Sequence, residues 1–183
     1  MVKATKDNTV IEFVYDYMGR EISRKKLESG IVTSHIRYLW DGWNKIEELD
    51  ALNSNAVAKK YIWGLDLTGS LDRAGSVGAL LSEINSDGVF YAFYDANGNV
   101  SEYIDNTGTV QAHYEYSPFG KITVSTGAKA DEFSYRFSTK EFEPHTGLVL
   151  YQLRAYSPLF GRWMSRDPIE EQGGENLYRH TNN

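Results

Sequence analysis

Apolar and polar residues alternate with period two along most of this chain. Thr9 to Tyr15, Glu21 to Leu27 and Ile31 to Trp40 each read as strands, and Val110, Ala112, Tyr114 and Tyr116 alternate with Gln111, His113 and Glu115. Successive side chains on a strand point to opposite faces, so the pattern predicts sheets with one apolar and one polar face. Between strands a small unit returns: an apolar or aromatic residue, usually followed by Asp, with Gly four positions after the first. It occurs as Tyr15-Asp16-Tyr17-Met18-Gly19, Leu65-Asp66-Leu67-Thr68-Gly69, Tyr94-Asp95-Ala96-Asn97-Gly98 and Ile104-Asp105-Asn106-Thr107-Gly108, with Tyr116-Ser117-Pro118-Phe119-Gly120 as a Ser variant. Asp or Ser accepts a hydrogen bond from the backbone two residues on, and Gly supplies the positive φ that closes a short loop. Repeated units of this kind predict hairpins added one after another. The predicted fold is all-β, an antiparallel meander of such hairpins.

Gly88, Gly98, Gly108 and Gly120 mark turns about every ten residues, and Asp41-Gly42 is a two-residue hairpin signal. Residues 44–60 are ambiguous. Ile46, Leu49 and Leu52 fall at helical spacing among Glu47, Glu48, Ala51, Ala56 and Ala58, yet Asp50 to Asn55 is turn-like and Lys59 to Trp63 strand-like. Strands are preferred, with helix as the alternative. From Thr126 the texture changes. A polar connection over Gly127 to Glu132 precedes Phe133, Tyr135 and Phe137 in alternation, then a turn at Glu143 to Gly147 and a strand from Leu148 to Tyr156. The tail, Asp167 to Asn183, is expected to pack as irregular structure against those strands. The expected organisation is a hairpin-repeat region over 1–125 and a second region over 126–183, joined as one continuous unit.

Composition narrows the function. Thirteen Tyr within an aromatic content of 14% favour folded β structure over disorder. A net charge of −6 argues against nucleic acid as a partner. Arg24-Lys25-Lys26, balanced by Glu21 and Glu28, reads as a solvated strand face. With no Cys, disulfides and thiolate metal sites are excluded, and His35, His113, His145 and His180 lack metal-ligand spacing. No metal and no cofactor is expected. Gly75-Ser76-Val77-Gly78 lacks the Lys of a phosphate loop, and no Gly-x-Ser-x-Gly elbow occurs. Lys3 and Lys6 have no apolar run behind them, which predicts no Sec-type signal peptide, and no segment reaches the length of a membrane span. The expected location is cytoplasmic before export, or secreted or at the cell surface as part of a larger protein.

In the C-terminal third a set of motifs follows in order. These are Gly147-Leu148, Leu153-Arg154-Ala155-Tyr156-Ser157-Pro158, Gly161-Arg162-Trp163, Ser165-Arg166-Asp167-Pro168-Ile169 and Gly173-Gly174-Glu175-Asn176-Leu177-Tyr178. Together they resemble the Rhs repeat-associated core domain, and the upstream Tyr-Asp units resemble the YD repeats that precede it. The resemblance implies a large hollow β-shell that encloses a toxic C-terminal domain. It also implies a core that acts as an aspartyl autoprotease, with an Arg, an Asp in the Asp-Pro motif and a second Asp in a later Asp-Pro-x-Gly motif. Arg154 and Asp167 match the first two. Two carboxylates are needed because one must be protonated while the other activates water. The second, and the cleavage site, are not found before Asn183, so the core reads as truncated before the autocleavage motif and without protease activity. Glu170, where many members of that family have Gly, and Glu171 are read as solvated.

The resulting expectation is a structural, encapsulating shell fragment. An autoprotease that releases a toxin, if the chain continues, is one alternative. A carbohydrate-binding module using Trp40, Trp43 and Trp63 as stacking platforms is the other, although packing within the wall is the preferred role for these residues. Expected partners are the remainder of the shell, a C-terminal toxin cargo, or a second copy paired through open strand edges.

Overall fold

The computed structural model describes residues 2–170 and 176–180, and divides into two compact units, Met1–Tyr91 and Ala92–Asn183. In the first unit the strands are β1 (Lys3–Lys6), β2 (Thr9–Tyr15), β3 (Glu21–Glu28), β4 (Ile31–Asp41), β5 (Asn44–Asp50), β6 (Ala56–Trp63), β7 (Leu80–Asn85) and β8 (Gly88–Tyr94), whose last residues enter the second unit. Each strand pairs antiparallel with the one before it. The fold is the all-β antiparallel meander that the alternation predicts. β1, a short polar edge, lies outside the predicted strands.

Residues 44–60 form parts of two strands. The helical spacing of Ile46, Leu49 and Leu52 does not mark a core stripe, because Ile46 and Leu52 are exposed. The register sets Glu47 opposite Lys60, an ion pair at 3.3 Å, and Glu48 opposite Lys59. Opposite charges across a strand pair are favourable, and a one-residue slip would leave only one Glu opposite a Lys.

The covered face of this unit carries Ile11, Phe13, Tyr38, Tyr61, Leu80 and Phe90, and with them the charged side chains of Lys45, Glu48 and Glu83. Lys45 Nζ lies 3.8 Å from the centre of the Tyr38 ring and 3.4 Å from Glu48 Oε1, and the Tyr61 hydroxyl donates to the same Glu48 oxygen at 2.9 Å. Arg24 is not on a solvated face as expected. Its guanidinium lies over the rings of Phe13 and Tyr38, at 5.4 and 5.6 Å, and forks onto Glu21 at 2.8 and 2.9 Å. A planar guanidinium stacks on aromatic faces at little desolvation cost, so this basic residue can sit inside.

The recurring turn is one structure used five times. In each copy the N–H of the Gly donates to the carbonyl of the Asp or Ser, at 3.1, 2.8, 3.1, 3.0 and 2.8 Å for Gly19, Gly69, Gly98, Gly108 and Gly120. In the Asp copies, Oδ1 accepts the backbone N–H two residues on, from Met18, Thr68, Asn97 and Thr107, at 2.8 to 2.9 Å. It also accepts the N–H four residues on, so a single carboxylate closes the loop and starts the next strand. The glycines all lie at positive φ, between 74° and 85°. The second carboxylate oxygen of each Asp grips a different neighbour, among them Arg20 Nε, Asn99 Nδ2 and Gln111 Nε2, each at 2.7 Å.

These turns store an acid sensitivity. Burial works to raise the Asp66 carboxyl but is outweighed by hydrogen bonds from Thr68, Ala74 and Ser70, which hold it at about 2. Hydrogen bonds from Thr107, Gln111 and Thr109 hold Asp105 at about 2. Both lie below the ordinary value of 3.8, so their stabilisation is complete above that pH and is lost as pH falls toward about 2. Urea midpoints are therefore expected to fall steeply between about pH 4 and pH 2. The double substitution Asp66→Asn/Asp105→Asn, which keeps an acceptor oxygen but no charge, should flatten that slope; an unchanged slope would refute the assignment.

The second unit contains β9 (Val100–Asp105), β10 (Val110–Tyr116) and β11 (Ile122–Thr126), followed by a 3-10 turn at Phe137–Thr139. A separate antiparallel sheet follows, of β12 (Glu141–Glu143), β13 (Leu148–Leu150), β14 (Ala155–Ser157) and β15 (Arg162–Trp163). The connection over 127–140 is tied down by tyrosines of the preceding strands. Tyr103 stacks on Phe133 at 3.9 Å, and the hydroxyls of Tyr103 and Tyr114 donate to the carbonyls of Tyr135 and Ala130 at 2.9 and 2.6 Å. Arg136, buried, donates to the carbonyls of Phe133 and Ala130. Gly120 serves twice here, since any Cβ on it would strike the Phe137 ring.

Candidate functional site

The C-terminal sheet is short, and the chain beyond it returns to complete it. Trp163 N–H donates to the Tyr178 carbonyl and Asp167 N–H to the Leu177 carbonyl, both at 2.9 Å. This return places the side chains of Arg154, Tyr151, Tyr156, Trp163, Asp167 and His180 in one cluster. Buried Phe137, Val149, Tyr156 and Trp163 form its core, with Tyr116, Phe142 and Tyr151 packed against them.

Arg154, just before β14, and Asp167, after β15, are brought together. Arg154 Nη1 donates to Asp167 Oδ2 at 2.9 Å, and the guanidinium lies 4.2 Å from the centre of the Trp163 ring. The other oxygen, Oδ1, accepts the Ile169 N–H at 3.1 Å. The two side chains are 18% and 20% exposed, so the pair is neither fully solvated nor fully buried. An ion pair of this kind, with a stacked cation, contributes on the order of 1 kcal/mol. It ties the return segment to β14.

His180 packs against the same aromatic group. Its ring is 4.0 Å from Tyr156, 5.1 Å from Trp163 and 6.0 Å from Tyr151, and Nδ1 is buried without a hydrogen-bond partner. Burial, and then the charge of Arg154, pushes this imidazole below its ordinary value, so it docks neutral. Burial also pushes the Tyr151 phenol up to about 12. Sequence reasoning did not single out this box. Tyr156, Trp163 and Tyr178 stood within the recognised motifs, but a lone His near a chain end carries no spacing signal.

Glu170 sits at φ 52° and closes a turn onto the Asp167 carbonyl at 3.0 Å. A side chain in that left-handed region is strained by about 1–2 kcal/mol. Glu170→Gly is expected to raise unfolding stability by up to about 1 kcal/mol, the relief being partly offset by the entropy of Gly; a lower denaturant midpoint would contradict it. Glu171, and Gly173-Gly174-Glu175 of the last motif, lie outside the described residues.

The three tryptophans read as stacking platforms lie in the first unit. The indole N–H of Trp40 donates to the Glu21 carbonyl at 2.8 Å, and that of Trp63 to the Lys45 carbonyl at 2.7 Å. Trp43 occupies the β4–β5 turn and is half-buried. Two of the three thus have their polar edge committed to the sheet. Among the described residues, no three His, Asp or Glu side chains gather closely enough to hold a metal ion. No helix among them is long and apolar enough to cross a membrane.

The family model described as Teneurin YD-shell matches residues 1–183. The chain belongs to the YD-shell family. Among its relatives, the tRNA3(Ser)-specific nuclease WapA of Bacillus spizizenii is 28% identical over 188 residues, which cover 100% of this chain and 7% of that protein. Toxin subunit YenC1 of Yersinia entomophaga is 33% identical over 105 residues, covering 56% of this chain and 11% of that subunit. The solved structure of TcdB2-TccC3-Cdc42 superposes with a TM-score of 0.70 at 21% identity, over 96% of this chain and 9% of that one. The YD-shell chain therefore spans about a tenth or less of the proteins it matches, and the Rhs and YD-repeat resemblance of its motifs is borne out at the level of family and fold.

Proposed function

We propose that this YD-shell segment is a piece of the wall of an encapsulating β-shell whose cargo is a toxin domain, and that it has no peptidase activity of its own. The observation that carries this is the five-fold reuse of one turn along the meander. A wall assembled from identical corners can be extended hairpin by hairpin without a specific pocket, which suits a container more than a catalyst. Relatives named as nucleases and toxin subunits support the kind of cargo. Arg154 and Asp167 act as a clamp in this reading, because both Asp167 oxygens are occupied, one by the guanidinium and the other by a backbone N–H.

The test uses the native protein that contains these residues. A toxin segment encoded with the shell should resist added protease until the shell is unfolded, and digestion at the same rate in the shell and alone would overturn encapsulation. The purified chain should also stay intact on prolonged incubation. Scission at a discrete bond, abolished by Asp167→Asn, would instead establish the autoprotease reading.

A further inference from the structure

β6 and β7 bring three side chains together around one buried carboxylate. Their register sets Lys59 opposite Asn85 and Tyr61 opposite Glu83. Residues two apart share a strand face, so Lys59, Tyr61, Glu83 and Asn85 lie on one side of the sheet. Glu83 is completely buried, with Tyr61 opposite it on β6 and Phe90 opposite it on β8, each 2% exposed. Lys59 Nζ is 2.7 Å from Glu83 Oε1, and the Asn85 side chain is a further polar neighbour of that carboxylate. The Asn85 carbonyl oxygen, Oδ1, accepts the Asp87 N–H at 2.9 Å.

We propose that Lys59 and Asn85 become joined by a side-chain amide bond in the folded chain, with Glu83 relaying the protons. Directly opposed cross-strand residues have Cβ atoms about 4.5–5.5 Å apart, within the reach of a lysine chain to an amide carbon. The nucleophile must be the neutral amine, and Glu83 Oε1, 2.7 Å from Nζ, is placed to take its proton. Burial pushes the Glu83 carboxyl up, against the charge of Lys59 and with that of Glu48, which makes it a better proton acceptor than an ordinary carboxylate.

The step then balances without any outside reagent. The Lys59 Nζ lone pair attacks Asn85 Cγ, and the charge that develops on Oδ1 is met by the Asp87 N–H. Glu83 accepts a proton from Nζ and delivers one to Asn85 Nδ2. The Cγ–Nδ2 bond breaks, ammonia leaves, and the Nζ–Cγ amide remains. Glu48, opposite Lys59 on β5, stays with Lys45 and Tyr61 and takes no part. The product is a covalent staple between neighbouring strands of the wall, spanning the long loop from β6 to β7.

Intact mass spectrometry of the purified chain tests this directly. The folded protein should be lighter than its sequence by one ammonia, and trypsin should leave one peptide containing both Lys59 and Asn85, uncut after Lys59. Lys59→Arg and Glu83→Gln should restore the full mass. Asn85→Asp should lose one water instead, a result that a merely structural role would not produce. A wild-type chain of full mass, cleaved normally after Lys59, would overturn the proposal whether or not the variants fold. Ammonia loss with Lys59 still cleavable, and chain cleavage by hydroxylamine after Asn85, would mean a succinimide and would overturn it equally.

Discussion

Glu48→Leu is expected to lower the unfolding free energy by about 3–5 kcal/mol at neutral pH. Lys45, 1% exposed, has its ammonium beside Glu48 and over the Tyr38 ring, and Tyr61 donates its hydroxyl to the same carboxylate. The substitution removes the carboxylate while the ammonium and the phenol stay inside, and the desolvation of both is no longer offset. Lys45→Met/Glu48→Leu removes the charges together and should recover most of the loss, leaving about 1–3 kcal/mol for the Tyr61 hydroxyl. Urea unfolding of the wild type, both single variants and the double variant closes the cycle. A double-variant loss equal to the sum of the two single-variant losses would show that the pair is not coupled.

Trp163→Ala is expected to cost about 3–5 kcal/mol, the range for removing a large buried aromatic. The indole meets Tyr151 edge-on at 4.9 Å and Tyr156 at 5.6 Å, supports the Arg154 guanidinium at 4.2 Å, and lies 5.1 Å from His180. Its loss should therefore free the returning tail as well as open a cavity. The N–H groups of residues 163 and 167, which bond the carbonyls of Tyr178 and Leu177, should exchange with solvent far faster in the variant. Phe160→Ala, at a position 68% exposed, should cost less than about 0.5 kcal/mol and serves as the control. Protection at 163 and 167 equal to wild type would sink the clamp.

Much of this was legible in the residues because the signals are local. An Asp with Gly three positions later implies the turn whatever surrounds it, since the carboxylate, the loop N–H groups and the positive φ all lie within five residues. Strand extents follow for the same reason: β2, β3 and β4 end within about one residue of the predicted limits. The ambiguity over 44–60 had a different source. Period and composition compete there, and what distinguishes the strand is its backbone pairing with β4 and β6, which no window of local sequence contains. The candidate cluster was partly legible. Arg154 and Asp167 came from the motifs, whereas His180 became visible only once the tail had turned back onto β15.

By itself the sequence determined the family, the antiparallel meander and the corners that join its strands, because those depend on contacts among near neighbours and on alternation. Which side chains end up inside was decided only by the tertiary structure. Alternation says that Lys45, Glu48, Lys59 and Glu83 stand on sheet faces, but it cannot say which face is covered. Glu83 is tolerable inside because the β6–β7 register brings Lys59 Nζ to 2.7 Å from it. The Lys45–Glu48 pair within β5 is tolerable because the neighbouring strands lay Tyr38 over the ammonium and the Tyr61 hydroxyl against the carboxylate.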